Sequence, residues 1–314
     1  MSLLIAFASF RTRSDAGNIF FYKHDGVSKG ELLEPLPTES PRRRSDYRPS
    51  LSADGRLCAF AIQYREVVPG ELRLWDMRAK KLLTLPDRNK SGSDAQPAMS
   101  GDGRWMAFCG WQRPGGLGAH DLFLYDLKEN RLVDLPNLNT EYDEQAPVLS
   151  HDGRWLAYIT NRPLSGAGFP GMARICLYDR STGQDVPLPG MAMPPFRDCE
   201  PCLSGDGRYL AFTSHRPDPD GSEGPGSIYL YDRSAAAFVA LPGLNSASHD
   251  CQPSLSPGGR YLAFTSERFD GMGQRDLYLY DIKTRKLLPT PGLNHASEEF
   301  EASIAVLDPA MDRL

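Results

Sequence analysis

The sequence predicts an all-β protein: a six-bladed β-propeller with four antiparallel strands per blade, whose last blade is closed by the C-terminal strand (301–306) joining N-terminal strands. Three observations predict it. A nine-residue string returns five times at near-constant spacing, short apolar runs fill the intervals, and the two chain ends complement each other as parts of a sixth unit.

The string reads SADGRLCAF, SGDGRWMAF, SHDGRWLAY, SGDGRYLAF and SPGGRYLAF, led by Ser52, Ser100, Ser150, Ser204 and Ser256 at intervals of 48, 50, 54 and 52 residues. A period of this size marks repeated structural units. Before each copy lies a short run such as APVLS (146–150) or QPSLS (252–256). After it come a variable loop, a run such as DLFLYD (121–126), SIYLYD (227–232) or DLYLYD (276–281), and another such as RLVDLP (131–136) or FVALP (238–242). These runs are alternating or fully apolar, rich in Leu, Tyr, Phe and Val, and bounded by Gly, Pro, Asp or Asn, which is strand grammar. The pairs Asp54-Gly55, Asp102-Gly103, Asp152-Gly153 and Asp206-Gly207, with Gly258-Gly259 in the fifth unit, fall between the first and second runs, where a tight hairpin needs positive φ at little steric cost. Four strands in about 50 residues match one propeller blade.

No window longer than ten residues keeps apolar residues at helical spacing, and the 26 Pro and 29 Gly are scattered rather than pooled in a linker, so one continuous domain over 1–314 is expected. Its blades span about 46–93, 94–143, 144–197, 198–249 and 250–298, with the sixth made of 299–314 plus 1–45. LIAFASFR (4–11) aligns with YLAFTSER (261–268), NIFFY (18–22) with DLYLY, and ELLEPLP (31–37) with KLLPTP. The N-terminal end therefore supplies strands two to four of a blade, and EASIAV (301–306), aligned with QPSLSP (252–257), supplies the first. Such closure removes an open sheet edge. MSLLIAFASF is read as a strand, since no basic residue precedes it and no small-residue cleavage site follows, and no stretch is long enough to span a membrane.

The unit D-x-x-P-x-x-S-x-D-G-R-x-x-A-F-x-S-x-R followed by IYLYD resembles the WD-like propeller repeat of the TolB family over essentially the whole chain. Two features depart from that pattern. Leu51, Met99, Leu149, Leu203 and Leu255 stand where a Trp is usual before the turn, and the extra N-terminal domain of TolB itself has no counterpart. The resemblance implies the propeller fold and, where a signal precedes the sequence, a periplasmic protein. Six cysteines read as free thiols point instead to the cytoplasm, so the compartment stays open.

A net charge of −5 argues against a nucleic-acid partner. Cys58, Cys109 and Cys176 fall inside expected strands and read as small buried hydrophobes. Cys199 and Cys202 form a C-x-x-C without a second pair, and Cys251 stands at the position equivalent to Cys199, so a disulfide between neighbouring blades is conceivable in an exported protein. No G-x-S-x-G elbow with helical context and no H-E-x-x-H occurs, and the six histidines do not cluster in sequence. No catalytic residue is assigned.

An acid stands three residues before the inner-strand Pro, or its equivalent, in every blade: Asp46, Asp94, Glu144, Asp198, Asp250 and Glu299. At the end of the second strand an arginine recurs: Arg11, Arg65, Arg113, Arg162, Arg216 and Arg268. Propeller topology puts both on one rim, and their regular repetition reads as structural, each acid pairing with an arginine or capping a loop amide. Function is sought where repetition breaks. Two positions after the acid stand Arg48, Gln96, Ala146, Glu200, Gln252 and Glu301. Glu200 and Glu301 beside Asp198 and Glu299 predict an acidic sector of the channel mouth. Arg48 with the run PRRR (41–44), which holds Arg43 and Arg44, predicts a basic one, and Asp250 joins these binding candidates. The long Gly- and Pro-rich loops 163–173 and 217–227 lie on the same rim.

The resulting expectation is a monomeric, non-catalytic module that binds a protein or peptide at this loop-rich face and requires no cofactor. The alternative is a metal-dependent lyase or hydrolase in the central channel, with a calcium or manganese ion among the mouth acids.

Overall fold

The computed structural model describes residues 2–11, 17–37, 44–64, 70–85, 93–163, 173–191, 196–216 and 225–307. Among them are twenty-four strands in six four-stranded antiparallel sheets, and no helix. Blade 1 is β4 (Arg44–Leu51), β5 (Leu57–Tyr64), β6 (Glu71–Asp76) and β7 (Lys81–Leu83). Blade 2 is β8 (Ser93–Met99), β9 (Trp105–Trp111), β10 (His120–Asp126) and β11 (Arg131–Val133), and blade 3 is β12 (Glu144–Leu149), β13 (Trp155–Thr160), β14 (Arg174–Asp179) and β15 (Gln184–Asp185). Blade 4 is β16 (Asp198–Leu203), β17 (Tyr209–Ser214), β18 (Ser227–Asp232) and β19 (Ala237–Val239), and blade 5 is β20 (Asp250–Leu255), β21 (Tyr261–Ser266), β22 (Asp276–Asp281) and β23 (Lys286–Leu288). Blade 6 joins the ends of the chain, with β24 (Glu299–Val306) pairing with β1 (Leu3–Ser9), followed by β2 (Asn18–His24) and β3 (Gly30–Leu33). The closing register runs from Leu3 opposite Val306 to Ser9 opposite Glu299.

The apolar positions of the repeat pack between blades. Ala107, Cys109, Leu122 and Leu124 of blade 2 bury against Leu156, Tyr158, Cys176 and Tyr178 of blade 3, and equivalent clusters fill the other seams, including both flanks of the closed blade. Full burial of one such Leu or Phe stabilises by about 1.5–3 kcal/mol. The outermost strands stop short of the prolines that end their apolar runs. Those prolines serve the seams instead: Tyr178, Tyr231 and Tyr280 donate their hydroxyls to the carbonyls of Pro136, Pro189 and Pro242 in the preceding blade, at 2.7, 2.7 and 2.8 Å.

Each S-x-D-G-R string is a self-contained turn. In blade 3, Gly153 donates its N–H to the Ser150 carbonyl at 3.1 Å with φ 67°, a conformation that glycine adopts without penalty; Asp152 keeps a negative φ. Its carboxylate instead accepts the Ser150 hydroxyl at 2.7 Å and the Arg154 N–H at 2.9 Å, while the Ser150 oxygen accepts the Trp155 N–H at 3.0 Å. Arg154 then reaches Asp179 at the end of β14 at 2.8 Å, and Asp179 caps the next turn through Ser181. The same bridge recurs as Arg104–Asp126, Arg208–Asp232 and Arg260–Asp281, which accounts for the constant Asp of the LYD run. These bridges occupy the turn face. The inner strands begin, and the second strands end, on the opposite face, which surrounds the channel mouth.

Candidate functional site

At the mouth, the repeated acids and arginines are keystones. Arg216 holds both carboxylate oxygens of Asp198, at 2.7 and 2.6 Å, and also donates to the Met191 carbonyl of blade 3. Arg268 meets Asp250 at 3.0 Å, Arg11 meets Glu299 at 3.1 Å, and Arg113 meets Asp94. The guanidinium of Arg268 lies over Phe264 and Tyr278, and that of Arg216 over Phe212 and Tyr229, so planar charge rests on a paired aromatic surface where a lysine would not serve. Asp46 is buried and donates its N–H to the Gly17 carbonyl. Its expected partner Arg65 lies outside the described residues, as does Arg43, and the side chain of Arg44 is likewise outside the description.

Blade 3 breaks the pattern. Glu144 is occupied by Thr140 and Thr160, while Arg162 turns to Asp185 at 2.6 Å. Tyr158 replaces the usual Phe, its hydroxyl also bonds Asp185, and Cys176 takes the place of the aromatic ring on the third strand. The expected Glu144–Arg162 pair is therefore replaced by two separate networks. Burial pushes the carboxyls of Glu144, Asp198, Glu299 and Glu301 above their ordinary values, against the hydrogen bonds and arginines that pull them down.

The position two residues beyond the acid is a β-bulge in every blade: Arg48, Gln96, Ala146, Glu200, Gln252 and Glu301 all have φ between 50° and 54° or, for Glu301, 55°. Each inner strand shifts register there. All six residues line one central cavity of about 220 Å³. Glu200 and Glu301, expected to form an acidic sector, are both engaged: Glu200 accepts the Thr213 hydroxyl at 2.8 Å and the Gln252 N–H at 2.9 Å, and Glu301 accepts the Arg48 N–H at 2.8 Å beside its Nε at 3.3 Å. Arg48 and Glu301 thus form a pair rather than opposed basic and acidic sectors.

These assignments decide the fit of a divalent ion. Apart from Asp46, the described mouth carboxylates are spent on arginines, hydroxyls and main-chain N–H groups, and among the described residues no group of three or more His, Cys, Asp or Glu is placed to hold a metal. The donor set of the described residues does not fit calcium or manganese. All six cysteines are free thiols, so the conceivable Cys199–Cys251 disulfide is not formed. Burial pushes the Cys199 and Cys202 thiols up to about 12 and about 11, and Cys202 Sγ serves as an acceptor for the Leu255 N–H at 3.0 Å.

Loops 163–173 and 217–227 fall mostly outside the described residues. Two other mouth loops are well defined. Asp121 accepts the N–H groups of Leu117 and Gly118 at 3.0 and 3.2 Å, and Asp276 accepts that of Gly273 at 3.0 Å. Both aspartates are buried. A Cβ on Gly116 or Gly271 would come within 2.2 or 2.0 Å of these carboxylates. The loops are equivalent in the repeat, on blades 2 and 5, three positions apart in a ring of six. They hold Leu117, Met272 and Phe269 out to solvent, at 71%, 67% and 100% exposure. Sequence reading passed over these tips, because the loops looked ordinary beside their longer neighbours; the shared R-x-x-G-x-G-x-x-D spacing was the available signal.

No protein-family profile matches the sequence, and no curated protein does. Solved structures do share its fold. TolB from Acinetobacter baumannii superposes with a TM-score of 0.66 at 18% identity, over 96% of this chain and 66% of that one. A protein described as a TolB of Agrobacterium tumefaciens gives 0.55 at 18% identity, over 97% of both chains. An oligogalacturonate lyase in complex with manganese gives 0.53 at 15% identity, over 91% of this chain and 77% of that one. The chain spans just under two thirds of the Acinetobacter protein. The fold is thus that of a TolB-like propeller.

Proposed function

We propose that this TolB-like propeller is a non-catalytic binding module that takes a protein or peptide partner at its mouth face. The observation that carries the reading is the pair of clamped loops with exposed apolar tips. Scattered exposed apolar residues are ordinary, but here two opposed blades each bury a carboxylate to hold an apolar side chain in water. The energy spent on ordering the loops before contact lowers the cost of ordering them on binding. Among the described residues no helix is long and apolar enough to cross a membrane.

The metal-dependent lyase or hydrolase reading is less well supported. One structural neighbour is a lyase with bound manganese, yet here the mouth donors are already engaged. The test is retention from an extract of the source organism on the immobilised full chain, compared with a Leu117→Ser/Phe269→Ser/Met272→Ser variant of equal melting temperature. A protein held by the wild type and lost by the variant is expected. Equal retention by both would overturn the reading.

A further inference from the structure

The mouth residues form two tiers of stitches across the blade seams. In the outer tier, the side chain at the bulge accepts the N–H of its counterpart in the next blade: Gln96 from Ala146 at 2.7 Å, Glu200 from Gln252 at 2.9 Å, Gln252 from Glu301 at 3.1 Å and Glu301 from Arg48 at 2.8 Å. In the inner tier, two residues further along, Ser50 accepts from Met99 at 2.8 Å, Cys202 from Leu255 at 3.0 Å, Ser254 from Ile304 at 3.2 Å and Ser303 from Leu51 at 3.0 Å. Arg48 has no acceptor to offer in the outer tier, and Ala98 none in the inner. One seam lacks both. Between blades 3 and 4 the two places are taken by Ala146 and Val148, and Ile159 stands where Thr213 assists in the next seam. By the repeat, the N–H groups of Glu200 and Leu203, on the inner edge of β16, point toward these apolar side chains.

We propose that this bare edge of β16 is where the channel takes an extended polypeptide segment of small, uncharged residues. Two of its carbonyl oxygens accept from the Glu200 and Leu203 N–H groups, and its side chains lie against Ala98, Ala146 and Val148. With one residue absorbed by the bulge, the two donors are two strand positions apart, about 7 Å, which is the repeat of carbonyls along one side of an extended chain. A strand edge recognised through its main chain is an established mode of peptide capture. Unmet donors in a low-dielectric wall also supply a reason for binding. The inference rests on the binding reading and locates its ligand.

The test writes the missing stitches into the seam. Ala146→Gln/Val148→Ser restores the residue types that Gln96, Gln252, Ser50 and Ser254 provide elsewhere, at a bulge where Gln already adopts the same φ. A pool of hexapeptides of Gly, Ala, Ser and Thr, capped at both ends, is selected on the wild type, and the retained peptides are measured against both proteins by fluorescence anisotropy. Binding at least tenfold weaker to the double variant is expected, with an equal or higher melting temperature. In the ligand-free wild type, the amides of Glu200 and Leu203 should exchange hydrogen faster than those of Gln252 and Leu255 and become protected by peptide. Peptides held equally by the double variant, or slow exchange at Glu200 and Leu203 in the free protein, overturn the edge proposal while leaving the apolar-tip reading intact. Retention of no peptide also overturns it, and the tip variant then decides the broader reading separately.

Discussion

Replacing Glu200 separates its role as an acceptor from its role as a charge. The carboxylate receives the Thr213 hydroxyl at 2.8 Å and the Gln252 N–H at 2.9 Å, so Glu200→Ala strands the hydroxyl of the fully buried Thr213 and leaves the Gln252 N–H only the Thr213 oxygen at 3.1 Å. Hydrogen bonds to a charged group contribute about 1.5–3 kcal/mol each. The site faces a cavity wide enough for water, which offsets part of the loss, leaving about 2–3 kcal/mol. Glu200→Gln keeps an acceptor in the geometry that Gln96 and Gln252 already use, and it removes a negative charge that raises the Glu301 carboxyl. Its cost should be about 1 kcal/mol or less. At about 2.1 cal/mol/K of unfolding entropy per residue, the Ala variant should melt roughly 3–5 °C below the wild type and the Gln variant within about 2 °C. Heat unfolding followed by near-ultraviolet circular dichroism reads both. Equal losses for Gln and Ala would show that charge, not stitching, is what the position supplies.

Two further outcomes are expected. Gly153→Val places a β-branched residue at φ 67° and a Cβ 2.4 Å from Trp105 Cδ1, whereas Gly190→Ala, with nothing within 4 Å, meets only open space; chemical denaturation should show a loss above about 3 kcal/mol for the first and about 1 kcal/mol for the second. In pH titrations of the melting temperature, Asp179 and Glu144 should behave oppositely. Hydrogen bonding to Arg154 holds the Asp179 carboxyl below the usual range. Its contribution is present above about pH 4 and lost as pH falls, so the deficit of Asp179→Asn should shrink toward pH 2. Burial raises the Glu144 carboxyl, so ionisation is disfavoured in the folded state and Glu144→Gln should gain on the wild type as pH rises above about 4. Parallel profiles for the two variants would contradict these environments.

The propeller was legible because its signals are local and repeated: the turn string, the apolar runs and the complementary chain ends each depend on residues near one another in sequence. The keystone pairs were legible for the same reason, as Asp198 and Arg216 illustrate. Blade 3 was not, since the departure of Arg162 toward Asp185 depends on Tyr158 replacing a Phe and on Cys176 replacing a ring. The stitches at Glu200 and Glu301 were hidden too. Their charge variation drew attention, but the work is done by an oxygen atom on a bulged backbone, and Glu and Gln supply it alike. A trace was present: Pro follows the bulge in five of the six blades, and a residue without an N–H suits a place where the ladder is interrupted. The Arg154–Asp179 bridge also had its signature, in the constant Arg of the turn and the constant Asp of LYD.

The pairing of β1 with β24 sets a timetable for synthesis. A ribosome makes β1 before blades 1 to 5 and its inner neighbour after them. At about 5–20 residues per second, the interval between Ser9 and Glu299, which end up opposite each other, is roughly 15–60 s. Blades 1 to 5 can each assemble from contiguous chain during that time, while β1, apolar from Leu3 to Ala8, waits with one edge unpaired. The newborn chain therefore carries an unpaired apolar edge throughout the synthesis of blades 1 to 5, and a chaperone that covers extended apolar segments would act on the β1–β2 hairpin rather than on the blades that follow.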